Sequence, residues 1–444
     1  LKTLLNVLTS TYFFWTSVFG ILSGFQAVPA LASSLTPQAQ LLRFEQAYVN
    51  RTLDENRIVA LKNYQNSFFS PEEAQVFDVP SFWVEAGKFH VFEIPHHLKK
   101  LDISWTKTSS GKKYILFLVH PESLDFYRTL IQDAKPGPRF LVTATASSRT
   151  LLMWPADNPE KSFFGKLSLD KEVAGVVRTI PAGEIARSIG TTQILDQSAD
   201  KLPDNFHFFP EALGVMPKGW ERGGMIIRLF PSEMQERRKR VMPLFALYTK
   251  PADRKTSPIE DNLRLYAGTP EDFVVTQILK PFAALWTELV LEHRLAIEAH
   301  AQNVLIQINS KGQIEPHFYF RDFGGFNFDL DSRASLNLNV SNLPVIHNIQ
   351  DDYHQHHSLS ALQSSVGVYF EGGFLFGLAE ELKRLGYKNL NYEKLITLSR
   401  QQIINSFKER GLNIRSENFW SDLQIALTRS QKTISSKTCR SALI

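Results

Sequence analysis

EAHAQNVLIQINSKGQIEPHFYFRDF, residues 298–323, is the stretch on which the fold turns. Val304, Leu305, Ile306 and Ile308 form a short apolar, partly β-branched run, Asn309–Gly312 supplies turn residues, and Gln313–Phe320 reads as the returning strand of a β-hairpin. Closing that hairpin brings Arg321-Asp322-Phe323-Gly324-Gly325 back to the end where Glu298-Ala299-His300-Ala301-Gln302-Asn303 begins. The oxygen donors Glu298, Asn303 and Asp322 then gather in one place. Such a set suits Mg2+, which prefers carboxylate and amide oxygens and is commonly shared with nucleotide phosphates. His300 beside them suits binding a substrate carboxylate or moving a proton. Taken singly, a carboxylate or histidine here is more often a capping or core residue.

Upstream, Thr269 followed by Pro270, Glu271 and Asp272 is a helix start: a hydroxyl cap, a first-turn proline and acids at the positive end of the helix dipole. Two helices are expected from there, divided or kinked at Pro281, with the second reaching about His300. From Phe82 to about Thr192 the pattern is short runs of Val, Ile, Phe and Thr broken by Gly, Pro and Asn. It includes Lys113–Val119, Arg139–Thr145 and Thr150–Trp154, all read as strands. Met225–Phe230 is another strand-like run, and Val241–Tyr248 is a further apolar segment. Gln38–Leu61 has helical spacing, as does the chain from Ser358 onward, most clearly over Phe374–Leu385.

Two more patches carry charge on this strand-rich background. Ser147-Ser148-Arg149-Thr150 sets an arginine among small hydroxyls at a strand edge, an arrangement suited to phosphate, although a solvated turn has the same composition. Lys166-Leu167-Ser168-Leu169 leads to Val176, Val177, Arg178 and Thr179. Lys166 and Arg178 would be two cations on ordered backbone, able to neutralise a triphosphate and a polycarboxylate and to stabilise charge during acyl transfer. The bland alternative is two solvated surface charges.

The order of these patches resembles the IucA/IucC family, the siderophore synthetases that work independently of nonribosomal peptide synthetases. Its pattern is matched by His120-Pro121, Ser147 to Thr150, Lys166 to Thr179, Met225–Arg228, Glu298 to Asn303 and Arg321 to Phe323, over roughly residues 110–330. The resemblance, to a divergent and shortened member, implies ATP- and Mg2+-dependent adenylation of a citrate-like acid and transfer of the acyl group to an amine, hydroxylamine or alcohol, in the service of iron acquisition. It implies Ser147, Arg149, Thr150, Lys166 and Gln302 as ATP contacts and Arg178 between phosphate and carboxylate. His300 falls on the acid substrate, with Arg178 and His300 as the catalytic pair and Glu298, Asn303 and Asp322 as the metal set. It also implies an α+β fold of three lobes shaped like a cupped hand, with a helical N-terminal lobe, a central mainly antiparallel sheet lobe and a helical C-terminal lobe. The expected division is 1–32, 33–110, 111–330 and 331–444. The sequence departs from the family in two places: no histidine-proline-lysine-arginine motif precedes residue 110, where Pro95-His96-His97-Leu98-Lys99 is a poor substitute, and Ala174-Gly175 replaces a threonine-serine pair ahead of Arg178.

The remaining composition bounds the partners. The chain has 444 residues, 43% of them hydrophobic, and a formal charge of +4, which supports a large buried core and gives no reason to expect nucleic acid. One cysteine, Cys439, rules out an internal disulfide and a cysteine-based zinc site. Between Thr3 and Leu42 there is no charged residue, and Lys2, the apolar run around Phe13–Phe19 and Ala30-Leu31-Ala32 read as a signal peptide or membrane anchor. A membrane association through residues 4–30 and a homodimer are further expectations. The location is cytoplasmic or membrane-anchored for an active synthetase, and periplasmic or secreted if the segment is cleaved. That N-terminus also motivates an alternative, an exported citrate- or siderophore-binding protein without turnover. A second alternative comes from His300, Asn303 and Asp322-Phe323-Gly324, which resemble the catalytic-loop asparagine and metal aspartate of protein kinases, though the glycine-rich loop and catalytic aspartate are missing. Asp351, Asp352, His354, His356 and His357 read as a solvated loop with a conceivable metal site, and Arg237–Arg240 as a solvated basic run balanced by Glu233 and Glu236.

Overall fold

The computed structural model describes residues 36–47, 68–173, 176–236, 239–250, 254–329 and 359–427, with three isolated positions between 330 and 358. The signal or anchor segment, Ala174-Gly175, Arg237-Arg238, the Asp351–His357 cluster and Cys439 lie outside the described residues.

Seven strands form the main sheet, in the order Val76–Val79, Phe140–Ala144, Thr150–Pro155, Phe163–Leu167, Met225–Arg228, Glu211–Pro217 and Phe89–Glu93. Every neighbouring pair in it is antiparallel. The expected strands at 113–119, 139–145, 150–154 and 225–230 are found within a residue or two. Ser81–Glu85 pairs with Lys112–Leu118 in a separate four-stranded sheet, so residues on both sides of position 110 share sheets. Mixed helix and antiparallel sheet is the α+β class expected.

Alternation fixes what each face of the main sheet carries. Phe163 and Leu167 join Leu151, Met153, Met225 and Ile227 in a wholly apolar core on one face. The opposite parity puts Lys166 between Thr150 and Ile226, and puts Arg228 directly across from Phe164 and Glu211. The helix Ala182–Gln197 packs on that second face. A Cβ at Gly214 would come within 2.6 Å of the Ile185 side chain, so the glycine allows helix and sheet to approach closely.

The hairpin forms as predicted: Val304–Ile308 pairs antiparallel with Ile314–Phe320, and Gly312, at φ +79°, closes the turn onto the Asn309 carbonyl. Arg240–Pro243 and Phe206–Phe208 complete its four-stranded sheet, the latter as a parallel pair. Val241–Tyr248 resolves into that edge strand and the short helix Leu244–Leu247.

The helical expectation to His300 needs correcting. Thr269 Oγ1 does accept from the Asp272 amide at 3.1 Å, but the helix ends at Leu291, and the apolar residues beyond it turn through Arg294, at φ +53°, into a two-residue strand, Leu295–Ala296, paired with Asn327–Phe328. Pro281 does not divide the helix. A π-helical stretch, Val275–Leu279, precedes it, and that widened turn accommodates a residue with no amide to donate. Phe282 then stacks on Phe370 at 3.9 Å, and Trp286 Nε1 donates to Ser365 Oγ at 3.0 Å, so this helix is a core element packed on the C-terminal helices. Those are a second π-helical run, Gln363–Leu375, followed by Phe376–Arg384 and Tyr392–Glu409.

Candidate active site

Lys166 is the centre of the constellation. Its side chain is 1% exposed, and its ammonium donates to Glu184 Oε1 at 2.6 Å and to Asp322 Oδ1. The sheet strand, the first turn of the helix on its face and the end of the hairpin are thereby tied together by one charge. Glu184 is well placed for this, because an acid in the first helical turn faces the positive end of the dipole.

Arg149 reaches the same carboxylate, its Nη2 lying 3.7 Å from Glu184 Oε1, while its Nη1 donates to the Arg178 carbonyl at 3.1 Å. The turn that carries it is built locally: Ser147 Oγ accepts from the Thr150 amide at 3.0 Å, and Ser148 takes φ +60°. Thr150 lies in register opposite Lys166. Arg178 ends the strand Val176–Arg178, and its Nε donates to the Val173 carbonyl at 3.0 Å. Burial lowers its affinity for the proton and the Arg149 charge adds to this, with Asp322 and Glu184 opposing.

Asp322 sits at φ +68°, an unusual backbone state for a non-glycine residue, at the entry to the short turn Phe323–Gly325. Burial alone would raise its carboxyl, but Lys166, Arg228 and Arg149 outweigh that and hold it below the usual carboxylate range. Its neighbour Arg321 points elsewhere, donating to Gln302 O at 2.7 Å and pairing with Glu45 Oε1 at 2.7 Å, which fastens the Pro37–Ala47 helix to the hairpin. Arg228 is likewise structural, buried against Glu211, whose other oxygen accepts from the Phe323 amide at 3.3 Å.

Glu298, Ala299 and His300 lie in irregular chain just ahead of the hairpin. Burial raises the Glu298 carboxyl to about 7, and Asp322 and Glu184 push the same way, against Lys166 and a hydrogen bond from Tyr369. Gly325 packs against Glu298, since a Cβ there would overlap its carboxylate. His300 Nδ1 accepts from the Gln302 amide at 3.1 Å, which leaves the ring proton of the neutral form on Nε2. Its ring meets Tyr369 edge-on at 5.9 Å. Asn303 belongs to the same turn, its amide donating to the His300 carbonyl at 2.8 Å and its carbonyl accepting from the Arg321 amide.

The structure therefore links Arg149, Lys166, Arg178, Glu298 and Asp322 through contacts or mutual electrostatics, and joins His300 to them through Tyr369. Ser147, Thr150, Gln302 and Asn303 lie on the turns and strand that carry these groups. Lys166 is not the free cation that the sequence suggested, because it is held between two carboxylates. His120 has no part in the site: it is buried against Phe69 and Phe77, and burial, with Lys171, pushes its imidazole down to about 3. Sequence reasoning missed Glu184, Glu211, Glu45 and Tyr369. Only Glu184, shortly after Pro181 at a helix start, carried a local signal.

Comparison with known proteins gives a fold and no closer relation. No family model matches the sequence, and no curated protein matches it. Among solved structures, the petrobactin biosynthesis protein AsbB from Bacillus anthracis str. Sterne superposes with a TM-score of 0.61 at 17% identity, over 83% of this chain and 68% of that one. ATP-bound aerobactin synthetase IucA from a hypervirulent pathotype of Klebsiella pneumoniae gives 0.57 at 15% identity, covering 76% and 64%. Aerobactin synthetase IucC from the same source gives 0.55 at 16%, covering 84% and 74%. The chain therefore has the fold of the siderophore synthetases, and it spans 64–74% of the length of these solved chains.

Proposed function

We propose that this chain is an ATP-dependent synthetase of siderophore biosynthesis, which adenylates a citrate-like carboxylate and condenses it with an amine, hydroxylamine or alcohol. The observation that carries the reading is the three-way junction at Lys166, which joins the Ser147–Arg178 cations to the Glu298–Asp322 oxygen donors in a fold shared with a synthetase solved with ATP bound.

Arg149, with Ser147, Thr150 and Gln302, lines the ATP side, Lys166 is buried behind them and holds Glu184 and Asp322 in place, and Arg178 stands between the phosphates and the acid. A substrate carboxylate oxygen attacks the α-phosphorus, the bond to the bridging oxygen breaks, and pyrophosphate leaves. Arg178 lowers the repulsion between two anions as they close. Nε2–H of His300 donates to a carboxylate of the acid. The incoming nucleophile then attacks the acyl carbon, loses its proton, and AMP departs. Glu298, Asn303 and Asp322 would be the oxygen donors for Mg2+, and a divalent cation there would favour the ionised Glu298 carboxylate that burial, first, and the neighbouring Asp322 disfavour. When bound there, Mg2+ supplies charge neutralisation for the phosphates.

Product analysis tests this reading. Incubation with ATP, Mg2+, citrate and a diamine is expected to yield AMP and pyrophosphate. ADP would indicate a phosphotransferase, and citrate binding with no nucleotide turnover would indicate the acid-binding alternative.

A further inference from the structure

A second cluster of ligating side chains lies at the other end of the helix Ala182–Gln197. Asp196, in its last turn, is 12 residues beyond Glu184, about 18 Å along the helix axis. His97 Nε2 lies 3.0 and 2.9 Å from the two Asp196 oxygens, and His96 Nε2 lies 3.3 Å from Oδ2. The two imidazole rings are 4.2 Å apart. These are the histidines that stand where the sequence lacks a triphosphate-binding motif, and they face a carboxylate, so an anion is the wrong occupant.

We infer that His96, His97 and Asp196 form a site for a divalent transition-metal cation such as Zn2+, separate from the proposed adenylation site. Three facts support it. Two histidine nitrogens and a carboxylate all lie within 4.8 Å of one another, and ligands of a tetrahedral ion with bonds of about 2.0–2.1 Å stand about 3.3 Å apart. His96 is 64% exposed, and a solvated side chain gains little from a surface ion pair, yet its Nε2 shares the oxygen that His97 already holds. Finally, the backbone is fixed before any ion arrives: the Ile94 amide donates to the Ala212 carbonyl at 2.8 Å, and Asp196 lies at the helix end where the dipole favours a cation. The exposed side leaves coordination positions for water or a ligand.

The test is calorimetric titration of the untagged, metal-free full chain with Zn2+, alongside His96→Ala and Asp196→Asn. His96 is exposed, so its replacement preserves the fold. One tight site per chain is expected, weakened at least tenfold by either change, with a rise in melting temperature on adding Zn2+ that is lost in His96→Ala. Equal affinity in wild type and His96→Ala, or no saturable binding in wild type, overturns the proposal. Neither outcome depends on adenylation activity.

Discussion

Lys166 and Asp322, 156 residues apart in the chain, meet as an ion pair whose lysine is almost wholly buried. The pair joins the centre of the seven-stranded sheet to the end of the hairpin, and Glu184 completes it from the helix between them.

Removing the ammonium leaves two carboxylates facing each other in a poorly solvated place. Lys166→Met is therefore expected to lower the unfolding free energy by about 3–5 kcal/mol, the usual cost of breaking a buried pair from one side. Urea denaturation measures it, and a loss under about 1 kcal/mol would show that the pair is not structural.

Glu298 gives stability a pH dependence of known sign. Its folded carboxyl is raised to about 7 from an ordinary value near 4.5, so the folded state holds a proton that the unfolded state has released. The stabilising contribution is complete below the unfolded value and is lost as pH rises through the folded one, by roughly 3 kcal/mol at most. Glu298→Gln should be the flatter of two stability curves measured between pH 4 and 8. Parallel curves would contradict this.

Tyr369 donates to Glu298 and so favours its ionised form. Tyr369→Phe should move the Glu298 titration to higher pH, read by carboxyl NMR, and shift the acidic limb of the pH–rate profile the same way. A shift downward, or none, would remove Tyr369 from the site.

Gly325 packs where a side chain would displace the Glu298 carboxylate. Gly325→Ala is expected to weaken Mg2+-dependent turnover by roughly tenfold, equivalent to ~1.4 kcal/mol. Gly373→Ala, with open space around its Cβ position, is the control and should change turnover little.

The parts legible in the sequence were those with a short period or a local turn signal. The 304–320 hairpin shows itself through its apolar runs and the turn at Gly312, and the strand that begins at Thr150 through a short apolar run bounded by turn residues. The helix expected to reach His300 failed because Leu295, Ala296 and Ile297 continue an apolar run whose partner, Asn327–Phe328, lies some thirty residues on and leaves no periodic trace. Partners behave likewise. Lys166 and Asp322 could be picked out as chemical types, but nothing local says that they neutralise each other, or that Glu184, Glu211 and Glu45 are the anions for Lys166, Arg228 and Arg321. Tyr369 was hidden inside a π-helical run whose turns do not follow the 3.6-residue spacing.

The most direct measurement of the proposed chemistry is trapping of the activated acid with hydroxylamine, in the presence of ATP, Mg2+ and citrate, by wild type and Arg178→Ala. The account predicts ATP-dependent hydroxamate from the wild type and a loss of two orders of magnitude or more in the variant, matching the ~3 kcal/mol that a preorganised charge contributes to a transition state. Hydroxamate formed equally well by Arg178→Ala would contradict it.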